Sequence, residues 1–244
     1  MISVYPDMES LSRAAADFFV DSAAQAVRDR QRFVVALAGG STPRRTCELL
    51  AQSPCSPRVN WPAVHVFWSD ERCVPPDHDL SNERMARRTL LDRVPIPPDQ
   101  VHPFRCQGDP EKAALDYESL LIRFFGPSPP RFDLVLLGLG RDGHTASLFP
   151  HTRALASTGR WTASVSLREI PPPRVTFSPA LINHARAVLF LVAGVDKAHV
   201  LAEVLEGPRE PDRLPAQLIC PEGQTRWLVD REAAGLLHTK GDPQ

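Results

Sequence analysis

The stretch FVVALAGGSTP, residues 33–43, contains the pattern that decides the fold. Its first six residues are apolar and rich in β-branched side chains, which is typical of a strand buried on both faces of a sheet. Gly39 and Gly40 end the strand. Ser41-Thr42-Pro43 then predicts the start of a helix, with a hydroxyl residue at the N-cap and proline at the first helical position. A strand followed directly by a helix is the beginning of a βαβ unit.

The same alternation continues along the chain. Apolar runs predict further strands at residues 64–68, 132–137, 187–192 and 227–229. Apolar spacing and capping residues predict helices before residue 30 and at 81–91, 109–126, from 178 onward, and at 195–206. Strands that alternate with helices imply βαβ units. We therefore expect an α/β fold, with a mostly parallel sheet and helices on both faces, as in a Rossmann-like three-layer sandwich.

The chain contains no linker between two sets of strands and helices. Proline clusters interrupt the periodic segments but do not form a disordered tract. We expect residues 1–237 to form a single α/β domain, with a small excursion near 161–176. Residues 238–244 are predicted to be a frayed tail.

The composition argues against several classes of protein. A formal net charge of −1 and a pI near 6.7 give no overall basic field, so no nucleic-acid partner is expected. No apolar run approaches the ~18 residues of a membrane span, and the first ten residues carry charges where a signal peptide needs an apolar core. We expect a cytoplasmic protein without a membrane partner.

Cysteines and histidines show no metal-binding pattern. The five cysteines form no CxxC pair, which favours reduced thiols. The eight histidines form no HExxH or similar spacing, so no metal is expected. A GxSxG nucleophile elbow is also absent, so covalent acyl-enzyme chemistry is not indicated.

In open α/β sheets, ligands bind beyond the carboxyl ends of the strands, and four polar segments lie at such positions. In the segment 39–43, glycines allow close approach of a ligand, and the free N–H groups of the helix start suit a phosphate. An ordinary helix cap explains that segment equally well. After the second strand, Asp70, Glu71 and Arg72 can bind polyols and anions, although a solvated charged turn is the better explanation of these residues alone.

The third segment, GLGRDGHT at 138–145, places Asp142 close to His144. Histidine is the commonest general base, and a nearby carboxylate can fix its tautomer. A structural histidine is the alternative, but the position between glycines at a strand end favours catalysis. In the fourth segment, Lys197 lies in the first turn of a helix, where a cation costs ~0.3–1 kcal/mol. An anionic ligand would explain it, and so would plain exposure to solvent.

Taken together, these segments resemble the glucosamine-6-phosphate isomerase/6-phosphogluconolactonase family. The resemblance covers nearly the whole chain in order. It lies in ALAGGSTPR (36–44), WSDERCVPPDHDLSNERMAR (68–87), LLGLGRDGHTASLFP (136–150), PRVTFS (173–178), AGVDKAHVLAEVLEG (193–207) and WLVDREAA (227–234).

The family contains lactonases and deaminases, and the residue five positions after the histidine separates them. The deaminases carry a glutamate there that partners the histidine, whereas this chain has Phe149. An apolar ring cannot relay charge to an imidazole. The resemblance therefore implies hydrolysis of 6-phospho-D-glucono-1,5-lactone to 6-phospho-D-gluconate, a step of the oxidative pentose phosphate pathway.

The resemblance also implies roles for individual residues. His144 is expected to be the general base, with Asp142 orienting it and Arg72 as a catalytic cation. The expected substrate- and phosphate-binding residues are Gly39, Gly40, Ser41, Thr42, Asp70, Arg174 and Lys197. Which of the three cations faces the phosphate and which faces the reacting carbonyl is left open.

No metal or organic cofactor is expected, because a cyclic ester is already activated toward water. The expected partner is a small sugar-phosphate lactone, and the expected state is a monomer or weak homodimer. Three alternatives remain: a sugar-phosphate deaminase or isomerase, a non-catalytic sugar-phosphate sensor, and a generic nucleotide-binding α/β protein. The last would need a dinucleotide fingerprint, which the chain lacks.

Overall fold

A computed structural model describes residues 1–106, 108–156 and 159–238, together with the backbone of 242–243. Its strands are β1 (Ile2–Tyr5), β2 (Phe33–Leu37), β3 (Val64–Trp68), β4 (Asp70–Arg72), β5 (Leu134–Leu137), β6 (Thr162–Val165), β7 (Arg174–Phe177), β8 (Ala187–Val192), β9 (Gln224–Asp230) and β10 (Asp242–Pro243). Its α-helices are α1 (Met8–Arg30), α2 (Ser41–Leu50), α3 (Asn82–Thr89), α4 (Pro110–Phe125), α5 (Pro179–Asn183) and α6 (Ala198–Glu206).

The strands form one large sheet and one small sheet. The large sheet has the order β10-β1-β9-β8-β5-β2-β3, and all of its strand pairs are parallel. Every residue of β2, β5 and β8 is buried, as their uninterrupted apolar sequences predicted. The predicted α/β fold, a mostly parallel sheet flanked by helices, is confirmed.

The small sheet and β1 were absent from the sequence prediction. β4, β7 and β6 pair antiparallel in that order, and the segment 161–176, predicted as an excursion, contains β6 and most of β7. β1 has four residues and lies between β9 and β10. Strands this short give almost no periodic signal, because their stability comes from partners that are distant in sequence.

Helix α2 begins two residues earlier than predicted, at Ser41 instead of Pro43. Its N-cap is Gly40, with φ 108°, a conformation that glycine adopts without a steric cost. Ser41 therefore lies inside the first turn, and no side chain caps the helix. The predicted hydroxyl N-cap is wrong, and the hydroxyls of Ser41 and Thr42 remain available to a ligand.

The prediction that all cysteines are reduced is wrong for one pair. Cys73 and Cys106 form a disulfide that joins the end of β4 to the segment before α4. Cys47, Cys55 and Cys220 are free thiols. Sequence spacing gave no indication of the pair, because the two cysteines are 33 residues apart and only the fold brings them together.

Of the tail at 238–244, residues 239–241 and 244 lie outside the described residues, while Asp242–Pro243 pairs with β1.

Among the helices that the structure describes, none combines the length and the apolar character that crossing a bilayer requires.

The turn after β3 is buried, so the alternative of a solvated charged turn is wrong. Asp70 and Glu71 are 5% and 6% exposed. The carboxylate of Glu71 accepts hydrogen bonds of 2.8–3.2 Å from the hydroxyl of Ser81 and the backbone N–H groups of Arg72, Asn82 and Glu83. Burial raises the pKa of Glu71, although the backbone hydrogen bonds oppose that shift. Glu71 thus fixes the start of α3 against β4.

We expect Glu71→Ala to lower the free energy of unfolding by about 2–4 kcal/mol, because several buried donors lose their acceptor. Asp109→Ala is the matched control. Asp109 is an exposed cap that accepts from the N–H groups at the start of α4, and its loss should cost about 1 kcal/mol. Urea unfolding of both variants measures the difference. Equal losses would show that burial of Glu71 adds nothing to an ordinary cap.

Candidate active site

A cleft of about 260 Å³ lies at the carboxyl edge of the large sheet, beyond β2, β3, β5 and β8. It is partly open to solvent. Every predicted site residue except Asp142 lines it, and Asp142 contacts one that does. The lining includes Gly39, Gly40, Ser41, Thr42, Asp70, Arg72, His144, Arg174 and Lys197.

Asp142 and His144 form a hydrogen-bonded pair in the loop after β5. Oδ1 of Asp142 lies 2.5 Å from Nδ1 of His144 and also accepts from the backbone N–H of His144 at 3.2 Å. Partial burial works against ionisation of Asp142, but its bonds and charge interaction with His144 hold its pKa below the usual range. The carboxylate therefore favours the tautomer with a proton on Nδ1, which leaves Nε2 as the basic atom.

The pair requires a glycine beside it. A Cβ atom at Gly140 would lie 2.1 Å from Nδ1 of His144 and 2.6 Å from Oδ1 of Asp142. The N–H of Gly140 also donates to the carbonyl of His144 at 2.8 Å, which closes the loop on itself. The loop is anchored to the strand end, because the hydroxyl of Thr145 donates to the carbonyl of Gly138 at 2.8 Å.

Arg72 and Arg174 occupy directly opposite positions of the antiparallel β4–β7 pair. Two cations at such positions repel each other. Arg72 donates to the carbonyl of Leu80 at 2.7 Å, and the buried Nε atoms of both arginines have no hydrogen-bond partner within the described chain. Burial lowers the pKa of Arg174, and the charge of Arg72 lowers it further. An anion bound between them would relieve the repulsion and use the free donors.

Asp70 is held by two residues that the sequence analysis missed. Its Oδ1 accepts from Nδ2 of Asn82 at 3.3 Å, and its Oδ2 accepts from the hydroxyl of Ser147 at 2.7 Å. Asn82 and Ser147 are 2% and 0% exposed. Asn82 follows the helix cap Ser81, but no sequence pattern indicates that its amide turns toward Asp70. Both contacts span many residues and exist only in the folded chain.

Lys197 lies at the entrance to α6, in a short 3-10 turn, Val195–Lys197, rather than inside the predicted α-helix. Its Nζ is 3.5 Å from a carboxylate oxygen of Asp196. Asp230, a third residue that the sequence analysis missed, shapes this turn. Its buried carboxylate accepts from the N–H of Gly194 at 2.9 Å and from that of Ala233 at 2.8 Å.

The donor set of the cleft consists of cations, hydroxyls and backbone N–H groups rather than metal ligands. Within the ranges that the structure describes, no three histidine, cysteine, aspartate or glutamate residues are grouped so that they could hold a metal ion. The arrangement can bind an anion and place a base beside it.

Comparison with known proteins identifies the family to which the chain belongs. A model described as glucosamine-6-phosphate isomerases/6-phosphogluconolactonase matches residues 6–227. The chain is 46% identical over 213 residues to a protein named 6-phosphogluconolactonase from Synechocystis, covering 86% of each chain. It is 40% identical over 240 residues to a protein of the same name from Nostoc, covering 97% of this chain and 98% of the relative.

Solved structures agree with these relatives. The structure of 6-phosphogluconolactonase from Trypanosoma brucei superimposes with a TM-score of 0.84 and 33% sequence identity. The match covers 96% of this chain and 97% of the other. The resemblance inferred from the six sequence segments is confirmed.

We expect Gly140→Ala to lower the free energy of unfolding by about 1–3 kcal/mol, because the new methyl group must displace His144 and Asp142. Gly138→Ala is the matched control on the same loop, since a Cβ there has no neighbouring atom within 4 Å. It should change stability by less than about 0.5 kcal/mol. Thermal and urea unfolding of the two variants test this. Similar values would mean that the loop adapts to the methyl group and that the pair does not depend on Gly140.

Proposed function

The chain belongs to the glucosamine-6-phosphate isomerase/6-phosphogluconolactonase family, and we propose that it hydrolyses 6-phospho-D-glucono-1,5-lactone to 6-phospho-D-gluconate. This is the lactone-opening step of the oxidative pentose phosphate pathway. The observation that carries the proposal is the Asp142–His144 pair at the wall of a cationic cleft. The names of the relatives agree with it.

The chemistry begins with His144. Its Nε2 takes a proton from water, and the resulting hydroxide oxygen attacks the lactone carbonyl carbon. The tetrahedral intermediate collapses by breaking the bond from that carbon to the ring oxygen. The imidazolium returns its proton to this leaving oxygen, which becomes a hydroxyl group. Asp142 holds Nδ1–H throughout and stabilises the charged ring.

Binding of the dianionic phosphate is assigned to the start of α2 together with the cations of the cleft. Gly39 and Gly40 allow close approach, and the hydroxyls of Ser41 and Thr42 are not used for capping. Lys197, Arg72 and Arg174 supply positive charge for the phosphate and for the developing oxyanion.

Asp70 is proposed to accept hydrogen bonds from substrate hydroxyls. Each of its oxygens uses one protein donor and keeps a further lone pair. Its negative charge also offsets part of the repulsion between the two cleft arginines.

The lactone reaction is favoured over amine chemistry by Phe149. Deamination would need a glutamate at position 149 as a second acidic partner of His144, whereas the ring of Phe149 lies there, at 4.3 Å between centroids. Product analysis separates the two activities: release of ammonia from glucosamine 6-phosphate would contradict the proposal.

The remaining parts of the proposal rest on composition and on the donor set. We propose that the reaction proceeds without a metal or organic cofactor, because the cleft lacks grouped metal ligands among the described residues. The protein is proposed to act in the cytoplasm on a small molecule, without nucleic-acid or membrane partners, as a monomer or weak homodimer.

We expect His144→Asn to lower kcat for freshly generated lactone by about 10²–10⁴-fold after subtraction of spontaneous hydrolysis, because the general base is lost. His151→Asn is the matched control. His151 makes the same 2.5 Å contact from Nδ1 to a carboxylate, that of Asp212, but both side chains are largely exposed and lie outside the cleft. Asparagine also tolerates its positive φ of 59°.

The assay is run on protein dialysed against a chelator. Wild type and His151→Asn should keep full activity, and His144→Asn should lose it while remaining folded. Near-normal kcat in His144→Asn would contradict the assignment of His144 as the general base. Loss of wild-type activity on chelation would contradict the metal-free mechanism.

We expect Lys197→Ala to raise KM by about 10–100-fold with a smaller effect on kcat, because a charge-assisted bond of ~1.5–3 kcal/mol to the phosphate is lost in ground and transition states alike. Thr42→Ala should act in the same direction but more weakly. Lys112→Ala, at an exposed lysine of α4, is the control for removal of a positive charge. An unchanged KM in both cleft variants would exclude phosphate binding at this end of the cleft.

A further inference from the structure

The ring of Phe149 contacts two functional groups of the cleft, the imidazole of His144 and the guanidinium of Arg174. The side chain of Phe149 is only 3% exposed and does not line the cleft. The first of these groups is the imidazole of His144, whose ring centroid is 4.3 Å from that of Phe149 at an interplanar angle of 37°. The other is Arg174, whose guanidinium carbon lies 5.1 Å from the Phe149 centroid. One aromatic ring therefore contacts both the base and an anion-binding cation.

We propose that Phe149 is a positioning residue that holds the Arg174 guanidinium and the His144 imidazole in one fixed arrangement for a phosphorylated substrate. The proposal rests on the proposed function only for the identity of the substrate. The coupling between Phe149 and Arg174 concerns anion binding, which can be measured without any reaction.

The contacts of Arg174 support this role. Arg30 and Arg45, which are also partly buried, are fixed by carboxylates: Arg30 by Asp133 at 2.9 Å and Arg45 by Glu9 at 2.6 Å. Arg174 makes no such ion pair among the described residues, and its buried Nε has no hydrogen-bond partner there. A cation over an aromatic ring is stabilised without using its N–H groups. The ring of Phe149 therefore orients Arg174 and leaves its donors for an anion.

An acidic partner would hold Arg174 more strongly but would compete with the substrate. A carboxylate neutralises the guanidinium and occupies its donors. The uncharged ring does neither, so the positive charge of Arg174 remains available although the opposite position of the β4–β7 pair holds another arginine.

Phe149 also restricts the orientation of the His144 ring. Asp142 fixes the imidazole through one hydrogen bond to Nδ1, and a single bond leaves the ring free to tilt about it. The buried ring of Phe149 limits that tilt, because it packs against the imidazole. Nε2 is then directed toward the cleft before the substrate arrives.

The experiment is a double-mutant cycle on Phe149 and Arg174, read out by calorimetric binding of inorganic phosphate. We expect Phe149→Leu to weaken phosphate binding by about 2–30-fold, which corresponds to a cation–π contribution of ~0.5–2 kcal/mol. In the Arg174→Ala background, the same substitution should change binding by less than about twofold. Phe149→Tyr, which keeps the aromatic face, should bind phosphate like the wild type.

Kinetics separates positioning from folding. Phe149→Leu should raise KM for the lactone and lower kcat, because it affects both Arg174 and His144, and Phe149→Tyr should restore both. Phe19→Leu is the control for loss of a buried ring. Phe19 is 0% exposed and packs edge-on against Phe33 at 5.1 Å, but it lies on α1, away from the cleft. It should lower stability and leave phosphate binding unchanged.

Two results would overturn the inference. One is an equal loss of phosphate affinity from Phe149→Leu with and without Arg174, and the other is a similar loss from Phe19→Leu. If Phe149→Leu does not fold, Phe149→Met replaces it in the cycle, since its flexible unbranched side chain can fill the space without an aromatic face. Failure of the proposed function is recognised separately, as absence of lactone hydrolysis by the wild type.

Discussion

The parallel direction of the strands is the constraint on which the cleft depends. Because β2, β3, β5 and β8 all point the same way, their carboxyl ends meet at one edge of the sheet. The polar loops that follow them are then forced together, although they span residues 39–197 of the chain. The hydroxyl of Ser69 reinforces this edge by donating to the carbonyl of Leu37 on the neighbouring strand at 3.1 Å. The side-chain contacts of the site then fix the positions of individual residues within loops that the sheet has already brought together.

The acidic and the basic groups of the cleft differ in their hydrogen bonding. The carboxylates accept hydrogen bonds from the protein itself, whereas the arginines keep donors that no protein acceptor uses among the described residues. Asp70 is bonded by Asn82 and Ser147, and Asp142 by His144. The two arginines, by contrast, keep buried Nε atoms without a partner among the described residues. A site of this kind is organised in advance for an anion, so binding of an anion would require little reorganisation. The repulsion between the two arginines lowers the stability of the folded protein, and favourable interactions elsewhere in the fold offset this loss.

The sequence predicted the central part of the fold well because buried parallel strands have uninterrupted apolar runs, as in residues 33–38 and 187–192. It also predicted which loops face the cleft, because strand ends determine that. It did not reveal β4, whose charged residues Asp70 to Arg72 look like a solvated turn until β7 pairs with them. Asn82, Ser147 and Asp230 were missed for the same reason: their partners lie 12, 77 and 36 residues away. The position of Phe149 was noted in the sequence, but its contact with Arg174 depends on three-dimensional packing.

The placement of β1 has a consequence for how the chain is made. β1 lies between β9 and β10, and the N-terminal amine of Met1 donates to the carbonyl of Thr225 at 3.2 Å. During synthesis on the ribosome, β2, β3, β5 and β8 emerge in an order that lets each pair with a strand already made or soon to follow. β1 emerges before all of them, yet both of its neighbours come from residues after 223. Among the strands that the structure describes, β1 is therefore the earliest to be synthesised and one of the last to enter the sheet.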